Sequence, residues 1–139
     1  MWRPADRDRS LKLFCYHILA DPENILESIR TQNYDGTFKF AYKQACGPFK
    51  HMEEVARFGE ETRTRVRQGA QTITAEELDR TIDGYAGQTN GHTLLHHVLG
   101  HTAHHLLQLY EFLRMIGLEP NDPLTEEDLK GIPKPKKLW

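Results

Sequence analysis

Residues 90–117, NGHTLLHHVLGHTAHHLLQLYEFLRMIG, constrain the fold of this chain more than any other stretch. No proline interrupts them, Asn90 is a favourable N-cap, and Gly117 is a favourable residue just beyond a helix end. Their leucines recur at helical spacing, which predicts one helix roughly 40 Å long. Six of the chain's eight histidines lie within it. We therefore expect the long central element of a helical bundle, and we expect its histidines to carry the chemistry.

Composition indicates a single domain over residues 1–139 and excludes several classes of protein. The 18 basic and 20 acidic residues nearly balance, so charge gives no reason to expect nucleic acid as a partner. No run approaches 18 apolar residues, and the charged N-terminus lacks the apolar core of a signal peptide. A cytoplasmic protein without a membrane span is the resulting expectation. Cys15 and Cys46 are then expected to be free thiols.

The first third of the chain predicts further helices after a solvated arm over residues 1–9. Apolar residues recur at helical spacing over 11–20, which predicts an amphipathic helix. Asp21 and Pro22 are typical of a helix start, with Asp21 as the N-cap, and so predict that this helix breaks and restarts. Residues 37–46 alternate like a strand but have no predicted partner strand. We therefore interpret them as helical.

Another helix is predicted over residues 49–68, and a long connection follows over 69–89. Within the connection, Thr74 and Glu77 match the capping-box pattern, which predicts a short helix directly after Thr74. The glycines that follow are typical of turns. Residues 119–139 are rich in proline and basic residues, and we expect an extended strap on the surface.

His101 and His105 lie one turn apart on the same face of the predicted long helix. Leu94, Val98 and Phe112 share that face and indicate that it is buried. Imidazoles four residues apart can direct ring nitrogens at a common point, which suits a zinc-class ion. Two buried imidazoles without partners would each carry a desolvation cost. Metal binding and a plain hydrogen-bonded core pair both remain open on this evidence.

A third ligand is needed, and His51 is the best candidate. Val55 and Phe58 follow it at helical spacing, so His51 is expected on the core face of its own helix. Three neutral histidines with one open position are typical of catalytic zinc sites rather than structural ones. Cys15 or His17, from the first helix, is the alternative third ligand.

Two further surfaces of these helices are candidates for function. Glu54 lies near His51 and is a candidate for orienting it or for acting as a general base. A leucine-rich face of the long helix predicts either core packing or a homodimer interface. The leucines on that face are Leu95, Leu99, Leu106 and Leu113.

The segment LLHHVLGHTAHHLLQLYEFLRMIGLEP resembles the last long helix of the DinB/YfiT-like superfamily of metal-binding four-helix bundles. His101, His105 and Gln108 match its pattern in order, followed by the Leu-Arg-x-x-Gly string that ends at Gly117. The third histidine of that family lies near the start of an earlier helix, and GPFKHMEEVARF places His51 there. The resemblance covers roughly residues 47–139, and its motif is moderately specific.

The resemblance implies an all-α fold, a four-helix bundle with a long crossover between helices 2 and 3. It also implies a divalent ion, zinc or nickel, held by His51, His101 and His105. Members of known activity are mainly S-transferases or hydrolases that act on small thiol conjugates, so a low-molecular-weight thiol is a possible cosubstrate. This chain departs from the pattern at Leu106-Leu107, where a polar Arg-Gly pair is common, and residues 1–46 match less well.

Two hypotheses of different classes follow from the sequence. The first is a metal-dependent enzyme that acts on a small molecule and activates a thiol or a water for S-transfer or hydrolysis. The second is a non-enzymatic helical module, a dimer or interaction domain, whose histidines bind metal for stability alone or bind none. Metal content of protein purified without a histidine tag discriminates between them.

Overall fold

A computed structural model describes residues 10–35 and 38–120, together with residues 125, 127, 130 and 131. Side chains at 38–41 lie outside this description. The described residues are mostly helical, which confirms the predicted class. The predicted N-terminal arm and most of the predicted C-terminal strap lie outside the described residues. In chain order, the elements are α1 (Leu11–Thr31), β1 (Asn33–Tyr34), α2 (Phe38–Cys46), α3 (Met52–Thr72), α4 (Ala75–Asp79), β2 (Thr81–Gly84), β3 (Gly87–Asn90) and α5 (Gly91–Met115).

Helix α1 is the element that the other described helices share. It packs against α2, α3 and α5, and it also contacts β1 and α4. Buried residues occur along most of its length, from Phe14 to Ile29. Among the described helices, α5 is the longest, as predicted. The central helix, however, is α1, whereas we expected α5 to be central. None of the helices in the described ranges has the length and apolar character that crossing a membrane requires.

The predicted break at Asp21-Pro22 is wrong, because α1 runs through both residues. Pro22 has no N–H to donate, so the helix forgoes one hydrogen bond at this turn. Apolar burial continues on both sides of the proline, through Ile18 and Ile25. Packing along the whole of α1 therefore outweighs the local signal. Asp21 is not an N-cap but a buried residue inside the helix.

Helix α3 begins at Met52, three residues later than predicted. His51 is its N-cap, with extended backbone angles of φ −123° and ψ 154°. The Glu54 carboxylate accepts hydrogen bonds from the backbone N–H groups of His51, at 2.8 Å, and Lys50. This contact caps the first turn of the helix. His51 therefore lies outside the helical repeat that Val55 begins, and its side chain is exposed.

The long crossover over residues 73–90 connects α3 to α5. It therefore follows the third helix in chain order. The predicted capping box is present, since Thr74 accepts a hydrogen bond from the backbone of Glu77 and the Glu77 carboxylate accepts one from Thr74. The glycines predicted as turn residues lie on either side of the turn of a hairpin, in which β2 pairs antiparallel with β3. Strand β2 also pairs parallel with β1. Ile82 on β2 is fully buried, so the small sheet covers one end of the core.

Both predicted ends of the long helix are confirmed. The Asn90 side chain accepts a hydrogen bond from the backbone N–H of Thr93 at 2.9 Å. Gly117 has a φ of 76°, the left-handed conformation that glycine adopts at little cost. Leu118 then donates its backbone N–H to the carbonyl of Leu113 at 2.9 Å, which closes a Schellman motif.

We expect Gly91→Ala to destabilise the protein more than Gly59→Ala does. A Cβ at Gly91 would lie 2.8 Å from Cα of Leu78, a backbone atom that cannot move aside alone. At Gly59 it would meet only side-chain carbons of Leu19, at 3.0 Å, which can move. We expect Gly91→Ala to lower the free energy of unfolding by about 1–3 kcal/mol. Urea denaturation measures both variants, and equal stabilities would contradict the close packing of α4 on α5.

Candidate metal centre

Three histidines from two helices converge in the core. His17 extends from α1, and His101 and His105 extend from α5; the ligand nitrogens of the three rings all lie within 4.8 Å of one another. The ring centroids of His101 and His105 are 4.2 Å apart, and that of His17 lies 5.0 Å and 5.1 Å from them. His17 is buried, and the other two are partly buried. The arrangement is one in which three imidazoles could bind one ion.

Local helix geometry and aromatic packing hold this group in place. The spacing of four residues puts His101 and His105 on one face of α5. Phe14, from α1, packs edge-on against the His105 ring with centroids 5.1 Å apart. Phe112 packs against Phe14 in turn, with centroids 5.3 Å apart. The side of the cluster formed by these rings is therefore apolar, which limits the positions that the His105 ring can adopt.

The oxygen atoms that face the two Nδ1 atoms define the tautomers of the α5 pair. Nδ1 of His101 lies 2.9 Å from Oδ2 of Asp21, and Nδ1 of His105 lies 2.7 Å from Oε1 of Gln108. Both oxygens are acceptors, so each neutral ring carries its proton on Nδ1, the nitrogen that faces the oxygen. The two Nε2 atoms then bear lone pairs, and they lie only 2.9 Å apart. Two lone pairs at this distance repel each other unless a cation or a proton lies between them.

Asp21 is the charged group behind this pair. It is 3% exposed, and its second oxygen accepts a hydrogen bond from the Tyr42 hydroxyl at 3.1 Å. Burial by itself would raise the pKa of Asp21, but the hydrogen bond and charge of His101, together with His17 and Tyr42, hold that pKa below its usual value. Burial also raises the pKa of Tyr42, so its hydroxyl stays protonated and donates. The carboxylate is thus ionised in the core and has donors on both oxygens.

The structure brings together two of the three predicted ligands. His101 and His105 meet as predicted, and the third histidine of the group is His17, which the sequence offered only as an alternative. The predicted His51 does not belong to this group. As the N-cap of α3, it has extended backbone and an exposed side chain, whereas the prediction required it to lie within the helix.

The candidate base and the candidate thiol ligand also lie elsewhere. The Glu54 carboxylate is engaged with backbone N–H groups at the start of α3, and these hydrogen bonds lower its pKa. That contact gives Glu54 a capping role. Cys15 is not a member of the histidine group, and burial raises its pKa to about 11. Cys15 and Cys46 are free cysteines, as expected.

Asp21 is the functional residue that sequence reasoning missed. Its pairing with Pro22 is typical of a helix start, which explains the wrong assignment as an N-cap. A signal was nevertheless present, because His17 and Asp21 are four residues apart, the same spacing as His101 and His105. An uninterrupted first helix would have placed both residues on one face, together with the buried Phe14.

Further histidines on α5 lie outside the group, and two of them contact its rings. The ring of His97 stacks on that of His101, with centroids 5.4 Å apart and planes inclined by 23°. The ring of His104 lies 5.4 Å from that of His105. His92 forms an exposed pair with Asp79, with Nε2 and Oδ1 3.2 Å apart. This last pair provides a surface counterpart to the buried pair of His101 and Asp21.

The donor set fits a divalent transition metal. Zinc binds histidine nitrogen at about 2.0–2.1 Å, so two nitrogens on one ion lie roughly 3–4 Å apart. The observed separations, from 2.9 Å between the two Nε2 atoms to at most 4.8 Å within the group, bracket that range. Imidazole suits zinc, nickel, copper and iron, whereas magnesium and calcium prefer oxygen donors.

Comparison with known families assigns the chain to a superfamily. The family model of the DinB superfamily matches residues 2–109. The chain belongs to the DinB superfamily. The match contains all three clustered histidines, and it includes residues 2–46, a part of the chain that we expected to match less well. Neither the curated proteins nor the solved structures gave a match. Family membership supports the helical fold and is compatible with metal binding, but it specifies no reaction.

The lowered pKa of Asp21 in this DinB protein predicts a pH-dependent contribution to stability. The carboxylate stabilises the fold above its unfolded pKa, near 3.8, and this contribution is lost as pH falls through the lower folded pKa. For metal-free protein, we expect Asp21→Asn to lower the free energy of unfolding by on the order of 2 kcal/mol at neutral pH. The deficit should shrink below about pH 4. Urea denaturation across this pH range measures it.

The exposed Asp79 provides a control for this measurement. Asp79→Asn removes a carboxylate from a surface pair with His92, and such pairs contribute little to stability. We expect no more than a small deficit at any pH. A deficit for Asp21→Asn that stays constant from neutral to acid pH would contradict the assigned shift.

Proposed function

We propose that this DinB-superfamily protein is a metal-dependent enzyme whose divalent ion is held by His17, His101 and His105. One observation carries the proposal. The Nε2 atoms of His101 and His105 lie 2.9 Å apart, while Nδ1 of each ring faces an acceptor. A cation accepts both lone pairs and removes their repulsion. The nitrogen donors favour a transition metal over magnesium or calcium, and among these we propose zinc or nickel, as the family resemblance implies, in a protein of the cytoplasm.

Three protein ligands would leave a coordination position for chemistry. The bound ion would act as a Lewis acid and lower the pKa of a thiol or a water, the chemistry needed for S-transfer or hydrolysis. The chain's own residues contribute orientation and exclusion of water. Asp21 and Gln108 orient two of the ligands, and Phe14 shields one side of His105.

A low-molecular-weight thiol is the sulfur source that we favour. Burial raises the pKa of the Cys15 thiol to about 11 and also raises that of Cys46. Both thiols therefore stay protonated near neutral pH, and protonated thiols are poor nucleophiles. An attacking sulfur would then have to come from a small molecule. The substrate in this proposal is likewise a small molecule.

A metal-free helical module is the second candidate, and two observations favour it. The 2.9 Å distance between the Nε2 atoms also suits an N–H···N hydrogen bond, in which a proton replaces the metal. On α5, Leu99 is 51% exposed and Leu107 is 42% exposed. These leucines, with the partly buried Leu95, Leu106 and Leu113, would provide a homodimer interface in either candidate.

Metal analysis of untagged protein tests the site directly. We expect one divalent ion per chain. His17→Ala, His101→Ala and His105→Ala should each weaken binding by more than the roughly 10–100-fold that loss of an outer partner costs. His51→Ala and His92→Ala are matched controls on other surfaces and should bind normally. Metal retained in His17→Ala but lost in His51→Ala would restore the ligand set predicted from the sequence.

Cobalt substitution tests whether the site is open to a thiol. We expect addition of a small thiol to Co(II)-loaded protein to produce a thiolate-to-cobalt charge-transfer band in the near ultraviolet. The same titration of His17→Ala, which lacks one ligand, is the control for non-specific complexes of cobalt with the thiol. A cobalt spectrum that changes neither with added thiol nor with pH would indicate a structural site without an open position and would contradict the catalytic proposal.

A further inference from the structure

We infer that Asp21, held by Tyr42, is a positioning residue that fixes the tautomer and ring orientation of His101 and thereby sets the affinity of the cluster for a divalent cation. This inference rests on the metal site proposed above. It concerns a carboxylate that binds no ion itself and acts only through the histidine that it contacts.

The carboxylate is fixed from both sides. Oδ2 of Asp21 lies 2.9 Å from Nδ1 of His101, and Oδ1 accepts the Tyr42 hydroxyl at 3.1 Å. The Asp21 side chain is 4% exposed, so water cannot readily replace either partner. An ionised carboxylate only accepts hydrogen bonds, so Nδ1 of His101 must carry the proton. Nε2 of the same ring is then the unprotonated nitrogen, and it faces His105.

Tyr42 orients the Asp21 carboxylate by donating a hydrogen bond to Oδ1. The Asn24 side-chain amide donates to the Tyr42 oxygen at 3.1 Å, which leaves the hydroxyl proton for Asp21. The Tyr42 ring also packs against the His17 ring, with centroids 5.0 Å apart. Tyr42 is a residue of α2, 5% exposed. Through the Tyr42 side chain, α2 contacts both His17 and Asp21, the residue that orients His101.

The two α5 histidines are supported unequally. His105 is oriented by Gln108, a neutral amide from the same helix, at 2.7 Å. His101 is oriented by a charged group from another helix, and a carboxylate makes the bound imidazole more basic than an amide does. Loss of Asp21 should therefore affect metal binding more than loss of Gln108. It should also remove a contact that sets the position of α5 relative to α1.

The test compares the zinc affinity of wild type, Asp21→Asn, Tyr42→Phe and Asp79→Asn by competition with a chelator. Asn can present its NH₂ group to Nδ1 of His101, which would move the ring proton to Nε2 and block coordination. We expect Asp21→Asn to weaken binding about 10–100-fold. Tyr42→Phe should weaken it by less, and Asp79→Asn, which removes the exposed carboxylate beside His92, should bind as wild type does.

Nuclear magnetic resonance of the histidine ring nitrogens provides a measurement that does not depend on a variant folding. In metal-free wild-type protein, we expect His101 to show a protonated Nδ1 and an unprotonated Nε2. In Asp21→Asn, we expect that preference to be lost or reversed. A purely structural role for Asp21 would change stability without changing this tautomer.

The outcomes distinguish failure of the positioning role of Asp21 from failure of the proposed metal site. Wild-type protein that binds no zinc would overturn both. Wild-type protein that binds zinc while Asp21→Asn binds it within about twofold would overturn the positioning role and leave the metal site intact. A wild-type His101 ring protonated on Nε2 would overturn the positioning role even if Asp21→Asn did not fold.

Discussion

The contact between Asp21 and His101 is the interaction on which the rest of the site depends. It joins α1 to α5 through a carboxylate that is almost completely buried. A buried charge is stable only when its oxygens are satisfied, and here an imidazole and a tyrosine hydroxyl satisfy them. This requirement brings three helices to one point, since Tyr42 belongs to α2.

Helix α1 contributes to two apolar core clusters as well as to the polar group of Asp21 and the histidines. One core cluster contains Tyr16 and Ala20 of α1 with residues of α2, and the other contains Ile25 and Ile29 with Ile82 and residues of α5. Asp21 lies between Ala20 and Ile25 in the sequence of α1. An uninterrupted α1 therefore supplies both apolar clusters and the carboxylate, and this explains why the helix continues through Pro22 despite the lost hydrogen bond.

The chemistry proposed for this centre follows from the different roles of its histidines, its carboxylate and the cysteines of the chain. Histidines supply the neutral nitrogen donors, and the carboxylate that supports them contacts His101 from outside the group of three nitrogens. Cys46 is buried and Cys15 is partly buried, and burial raises the pKa of both thiols. A site of this kind would depend on an external thiol or on water for its nucleophile, whereas the protein would provide orientation and an apolar surrounding.

By itself, the sequence determined α5 and the pairing of His101 with His105, because N-caps, C-terminal glycines and a spacing of four residues act within one helix. The capping box at Thr74 was equally local. Tertiary structure decided the third histidine, because packing of α1 on α5 selects His17, and the start of α3 at Met52 leaves His51 exposed. It also decided the role of Asp21, since the Asp-Pro signal for a helix start is worth less than the burial gained by a continuous α1. Contacts between helices depend on how whole faces pack, and no local pattern encodes that.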